Sequence, residues 1–251
     1  MTLPEAIAVF AAGVAAGGIN AVVGSGSLIT FPTLLAFGVP PVLANVSNNL
    51  GLVPGSASGA FGYRRELAGQ RRRLLRLGVA SAVGSAIGAT LLLALPASTF
   101  DVAVAVLILI ACALVILQPR LNGWLAARRT QAHPHGGGAL LAGICASGVY
   151  GGYFGAAQGV LMIGLLGIFL DEPLQRINGL KNVLTGIVNG MAAILFIALT
   201  HVDWGLAGLI AAGSVIGGLI GARIGRRLPP MALRMIVVII GLISVVKLLF
   251  F

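Results

Sequence analysis

The chain has 251 residues, 58% of them hydrophobic and 9% charged, with a mean hydropathy of +1.05, whereas soluble domains carry roughly a quarter charged residues. This excludes a water-soluble globule and predicts an all-α integral membrane protein, because a helix satisfies its own backbone hydrogen bonds in lipid. The net charge of +10 would suit nucleic acid in a soluble protein, but the arginines fall at the ends of apolar segments and no aromatic-studded basic groove accompanies them. They are read as topology signals that meet anionic lipid headgroups, with no nucleic-acid partner.

In chain order, the apolar stretch Leu3–Val23 comes first. It lacks the basic n-region of a signal peptide and is read as mature structure. It breaks at a polar tip, Gly24-Ser25-Gly26-Ser27, and a short apolar run, Leu28–Gly38, follows. Three longer segments come next, at about 42–62, 74–95 and 99–118. Leu77–Thr99 is 23 residues without a charge, and about 20 apolar residues cross the hydrocarbon as a helix. Residues 121–137 are polar, basic and glycine-rich, a cytoplasmic linker in which His133 and His135 are solvated. Beyond it lie a second glycine-rich stretch, a second tip at Gly155-Ala156-Ala157-Gln158, a short run at Val160–Leu170, and longer segments at about 174–200, 204–225 and 231–250. Cys112 and Cys145 sit in apolar segments without ligand spacing, so neither a disulfide nor a metal site is expected. His201 and Asp203, beside Trp204 at a turn between spans, read as interface anchors.

The two halves, 1–120 and 138–251, match each other in order. At an offset of 133, Asn45 pairs with Asn178, Asn49 with Asn182, Gly84 with Gly217, Gly88 with Gly221, and Leu95-Pro96 with Leu228-Pro229. Gly24 pairs with Gly155 at an offset of 131, which leaves a two-residue insertion around Asp171-Glu172. If every broken segment crosses once, eight spans result and the Lys/Arg count is 10 inside against five outside. If each is a re-entrant hairpin, the repeats are inverted and the count is 14 inside against one outside, Lys247, with Lys181 in the membrane. The Lys/Arg bias of short loops favours the second arrangement.

Residues 21–50, AVVGSGSLITFPTLLAFGVPPVLANVSNNL, resemble the glycine-rich tip, Pro, Gly-x-x-Pro and Thr-Asn-Lys pattern of the TauE/SafE family of sulfite and organosulfonate exporters. Residues 148–162, GVYGGYFGAAQGVLM, resemble that family's second signature, a Gly-Phe-Phe-Gly tip followed by small residues. The resemblance covers nearly the whole chain. It departs at Gly24-Ser25-Gly26-Ser27, where four glycines are usual, and at Ser47-Asn48-Asn49, where Thr-Asn-Lys is usual. A lysine appears instead in the second half, Lys181 beside Asn182. The resemblance implies a secondary carrier of a sulfur oxyanion in a bacterial-type inner membrane, whose cycle a coupling proton or ion would complete.

The residues point to the same places on physical grounds. A broken helix in lipid exposes backbone N–H groups, which are tolerated where they line a cavity. The helix resuming at Ser27 or Gln158 aims its positive end there, a seat for an anion. Lys181 stands some seven residues into its span, where a charge costs roughly 2.5–3.5 kcal/mol and so marks function. The candidate substrate-binding set is Gly24, Ser25, Gly26, Ser27, Asn48, Asn49, Gly155, Gln158, Lys181 and Asn182, with no metal and no cofactor. Gly84-x-x-x-Gly88 and Gly217-x-x-x-Gly221 read as helix-packing motifs. Rival readings are an intramembrane hydrolase with Ser25 or Ser27 as nucleophile and a non-transporting structural subunit. No GxxxxGK[ST] motif is present, so the chain is not itself an ATP-driven pump. The oligomeric state stays open.

Overall fold

A computed structural model describes residues 1–127 and 137–224, together with Met235, Val238, Ile239 and Leu242. The described residues contain helices and no strand: α1 (Leu3–Val22), α2 (Ser27–Ala36), α3 (Pro41–Gly62), α4 (Arg71–Ala94), α5 (Ala97–Ala127), α6 (Gly137–Tyr153), α7 (Gln158–Phe169), α8 (Leu174–Leu199) and α9 (Trp204–Ile224). Among them α1, α4, α8 and α9 are long and apolar enough to cross a membrane, while α2 and α7 are short apolar helices. Arg226, Arg227, Arg234, Lys247, His133 and His135 lie outside the described residues.

Two boundaries differ from expectation. α5 runs through Pro119 to Ala127, into the stretch read as linker, because Leu121, Leu125, Ala126 and Ala127 are good helix formers. α4 starts at Arg71 rather than near residue 74, so its arginines form the first helical turns.

The burial pattern is that of a bundle in lipid. On α4, Val79, Val83, Ile87 and Leu91 recur every four residues and are exposed, whereas Ser81, Gly84, Ser85 and Gly88 face inward. Small residues sit between helices because lipid tails are as apolar as leucine, so association depends on close contact and interhelical hydrogen bonds. A Cβ on Gly84 would strike the carbonyl of Cys145, and one on Gly88 that of Val149. Gly217 and Gly221 meet the carbonyls of Val14 and Gly18 in the same way. These four glycines are packing positions. Interhelical bonds add to the contact: Ser85 Oγ donates to the Val188 carbonyl (2.6 Å) and Ser214 Oγ to that of Gly51 (2.7 Å).

The pairings cross the midpoint of the chain. α1 lies along α9, with Gly13 at Ile210, Gly17 at Ser214 and Gly18 at Gly217, so the two helices run in the same direction. α6 lies along α4 likewise, with Gly148 at Ser81 and Gly152 at Ser85. α2 turns back on α1, since a Cβ on Gly26 would meet the Ala16 carbonyl, and α7 turns back on α6, since Gly151 lies against the Gln158 side chain. Each break is therefore the bend of a hairpin.

One end of the bundle gathers arginines. Arg73 and Arg176 both bond Glu172, at 2.8 and 2.6 Å, and Arg176 also donates to the Ala68 carbonyl (3.3 Å). A cavity of about 280 Å³ at the same end is lined by Gly62, Arg64, Arg65, Glu66, Ala222 and Arg223. Burial pushes the Glu172 carboxyl up, but the hydrogen bonds and charges of Arg73 and Arg176 outweigh it and hold the group below the ordinary carboxylate range.

Candidate functional site

The first tip forms where α1 runs out of helix. Val23 and Gly24 both donate to the Ile19 carbonyl (2.7 and 3.1 Å), and Gly24 adopts φ +85°, a left-handed conformation that glycine takes without penalty. The carbonyls of Asn20 and Ala21 then lack intrahelical partners, as the last carbonyls of any helix do. Lys181 of α8 supplies them. Its Nζ donates to Asn20 O (2.6 Å) and Ala21 O (3.0 Å), and Asn182 Nδ2 donates to Ala21 O (3.1 Å) and Asn178 O (3.0 Å). A lysine amine thus sits at the negative end of the α1 dipole. Lys181 and Asn182 are both 0% exposed.

The second tip forms in the same way at the end of α6. Phe154 and Gly155 donate to the Tyr150 carbonyl (2.9 and 3.1 Å), and Gly155 has φ +77°. The Tyr153 carbonyl is taken by Asn45 Nδ2 (2.9 Å), and Tyr150 Oη donates to the Ala156 carbonyl (2.5 Å). Ala157 adopts a left-handed φ of +57° just before α7 resumes. Gln158 folds back along its own hairpin, with Nε2 donating to the Ser147 carbonyl (3.1 Å).

The two tips touch. The Gly159 N–H donates to the Gly24 carbonyl at 3.0 Å. A Cβ on Gly24 would overlap the Gly159 backbone, and one on Gly159 would overlap Gly24 and come within 2.9 Å of Lys181 Cδ. Backbone is packed on backbone here, with the Lys181 stem running past the contact.

The candidate residues divide accordingly. Gly24, Lys181 and Asn182 gather at the end of α1, next to Gly159. Ser27 and Asn48 form a separate pair: Asn48 Nδ2 donates to Ser27 Oγ (3.2 Å) and Thr30 Oγ1 donates to Asn48 Oδ1. Gly155 and Gln158 are built into the second hairpin, and Gly26 into the bend of the first. Among the described residues, Ser25 Oγ, Asn49 Oδ1 and Asn182 Oδ1 are buried without a hydrogen-bond partner, so this region keeps polar capacity that the fold does not consume. Thr30 was not anticipated, although it lies three residues after Ser27 on the same helical face. Tyr150 and Ser147 had no signal of their own. No group of three or more metal-ligating side chains exists among the described residues.

Apolar helices that face lipid, interrupted by two glycine-bent hairpins meeting at buried polar residues, define a polytopic membrane protein of the transporter class. Residues 9–248 match the model of the family described as sulfite exporter TauE/SafE, and the chain belongs to that family. Its relatives include a "probable membrane transporter protein" of Haemophilus influenzae, 27% identical over 248 residues, covering 96% of this chain and 93% of the relative. The "probable membrane transporter protein YfcA" of Escherichia coli K12 is 28% identical over 236 residues (94% and 86%). The "probable membrane transporter protein ORF9" of a Sinorhizobium species is 27% identical over 242 residues (96% and 90%). No solved structure matches the chain.

Proposed function

We propose that the chain is a secondary carrier of a small anion, of the sulfite or organosulfonate type that the family description suggests, working in a bacterial inner membrane. The anion binds at mid-depth where the hairpins meet, and the halves 1–120 and 138–251 act as inverted repeats around it. The observation that carries this reading is the Gly159 N–H bond to the Gly24 carbonyl, with the buried Lys181 side chain beside it. Two broken helices meeting next to a buried ionisable group is the plan of carriers whose substrate sits at a repeat interface. The arginine-rich end supports the inverted arrangement. Arg73 shares Glu172 with Arg176, so the chain returns to the end it left after α4, α5 and the α6–α7 hairpin. Two crossings followed by a re-entrant hairpin satisfy that; three crossings do not.

The hydrolase reading finds little support. Ser27 is bonded to Asn48, Lys181 to two backbone carbonyls, and Ser25 has no base beside it. Reaction of a serine with a fluorophosphonate probe would revive it.

The direct test is flux in proteoliposomes across sulfite, alkyl sulfonates, carboxylates and phosphate. Protein-dependent movement of a sulfur oxyanion is expected, and movement of carboxylate or phosphate alone would reassign the substrate. For topology, single cysteines at Arg73 and Arg223, in a background free of Cys112 and Cys145, should both resist an impermeant thiol reagent added outside. Labelling of the Arg223 position alone would restore the eight-span arrangement.

A further inference from the structure

Among the described residues, no acid is a recorded partner of Lys181. The chain holds six acidic residues, Glu5, Glu66, Asp101, Asp171, Glu172 and Asp203. Glu5 lies in the first turn of α1, about 22 Å along that helix from Asn20 at 1.5 Å per residue. Glu172 is held by Arg73 and Arg176. Of the helices packed against α8, α3 and α7 carry no titratable residue; α1 carries Glu5, α4 carries Arg71, Arg72, Arg73 and Arg76, and α6 carries Cys145, Tyr150 and Tyr153. None of these is among the recorded partners of the ammonium, which are the Asn20 and Ala21 carbonyls. The end of a helix supplies the equivalent of about half a negative charge. Roughly half of the Lys181 charge is therefore uncompensated in a buried site, where an unpaired ion costs several kcal/mol.

The hydrogen bonding fits this shortfall. A neutral amine has two N–H donors and one lone pair, and Lys181 has two carbonyl acceptors. Adding a proton to the lone pair creates a third N–H and one full positive charge, about half of which the helix end leaves unbalanced. Both belong beside the Gly24–Gly159 contact, past which the Lys181 stem runs. An anion arriving there accepts the third N–H and removes that excess, so the site returns to the charge it had with the neutral amine.

From this we infer that Lys181 is the proton carrier of the transport cycle: it takes up one proton when the anion binds and gives it up when the anion leaves, so that a monovalent anion and a proton cross together. The step balances as Lys181–NH₂ plus H⁺ plus anion giving Lys181–NH₃⁺·anion, with one N–H bond formed, no redox change and no net charge moved. This inference rests on the anion-carrier reading above.

The chain contains two lysines, Lys181 and Lys247. A Lys247→Arg variant labelled with ¹⁵N at lysine Nζ therefore reports Lys181 alone. Methanesulfonate is the probe, because it carries no proton of its own near neutral pH; sulfite is the second probe. In detergent at pH 8, adding either anion should convert the Lys181 signal to the ammonium form, with uptake of about one proton per anion bound. Anion affinity should rise as pH falls, by up to about tenfold per pH unit, because linkage is reciprocal. In Lys181→Arg, which stays charged, that dependence should disappear while the folded protein remains. In proteoliposomes wild-type methanesulfonate flux should move protons with the anion and ignore an imposed potential. Binding or flux without proton uptake, or an ammonium signal unchanged by anion, overturns the proton-carrier inference and leaves the carrier reading standing. Neither binding nor flux of any anion in the wild-type protein overturns the carrier reading itself, and the inference with it.

Discussion

The end of α1 and the end of α6 break in the same way. Each closes with a glycine at left-handed φ whose N–H reaches five residues back, Gly24 to Ile19 and Gly155 to Tyr150, and each resumes as helix three residues later. All these positions keep the offset of 131. The caps do not match. The last carbonyls of α1 are held by an amine and an amide, Lys181 and Asn182, whereas the Tyr153 carbonyl that ends α6 is held by the Asn45 amide and the Tyr150 phenol reaches the Ala156 carbonyl in the tip itself. The second tip is also ringed by aromatics: Phe31 meets Phe154 edge-on at 5.1 Å, and Phe100 meets Tyr153 at 5.6 Å. At the first tip the offset replaces Phe154 by Val23 and Phe31 by Met162. The two breaks share a backbone form, while the side chains around them differ: one tip is capped by a lysine and the other by neutral groups.

Removing each cap in turn should break that comparison most sharply. Lys181→Met leaves the Asn20 carbonyl buried without its partner, and a buried acceptor left unsatisfied costs about 1–3 kcal/mol. Its unfolding free energy in detergent should fall by about 3 kcal/mol, with transport lost. Asn45→Leu removes one neutral bond and should cost about 1 kcal/mol. Equal losses would mean that the two caps are equivalent.

Glycine substitutions test whether the tip contact moves in transport while the packing contacts stay fixed. Gly159→Ala and Gly84→Ala both drive a methyl into neighbouring backbone, and overpacking of this kind costs about 1–3 kcal/mol. Stability alone should therefore not distinguish them. Flux per folded molecule should: it is expected to vanish for Gly159→Ala and to persist for Gly84→Ala. Persistence in both would remove the tip contact from the mechanism.

The smallest effect concerns the inserted Asp171-Glu172, which follows α7 and has no counterpart after α2. Glu172→Gln should loosen only the second hairpin, by about 1 kcal/mol for a partly exposed pair, read as faster hydrogen exchange in α7 than in α2. The carboxyl is held below its ordinary value, so its stabilisation is complete above about pH 4.3, the unfolded value. It is lost as pH falls through the lower folded value. The wild type should thus lose this protection in acid, while Glu172→Gln is insensitive there.

Much of the fold was legible in the sequence because lipid imposes a coarse rule on segment length and charge. The edges of α3, α8 and α9 fall within a residue or two of expectation for that reason. The breaks were legible because glycine clusters at polar residues have few other uses inside an apolar run. Partners were not. The carbonyls that receive Lys181 lie 161 and 160 residues away, and they become available only because α1 stops where it does. Gln158 turns back to Ser147 instead of outward because Gly151 leaves room for its amide against α6. The left-handed Ala157 had no signal at all, since alanine is the best of helix formers and gives no warning of αL.

The meeting of Gly24 and Gly159 has a mechanical meaning as well. Neither residue has a side chain to catch on the other, and the single N–H···O bond between them is worth about 1 kcal/mol net. On the carrier reading this contact is the bearing: two bare backbone surfaces joined by one bond, carried by hairpins whose outer arms are packed against α4 and α9. A methyl group on either surface would turn the bearing into a weld.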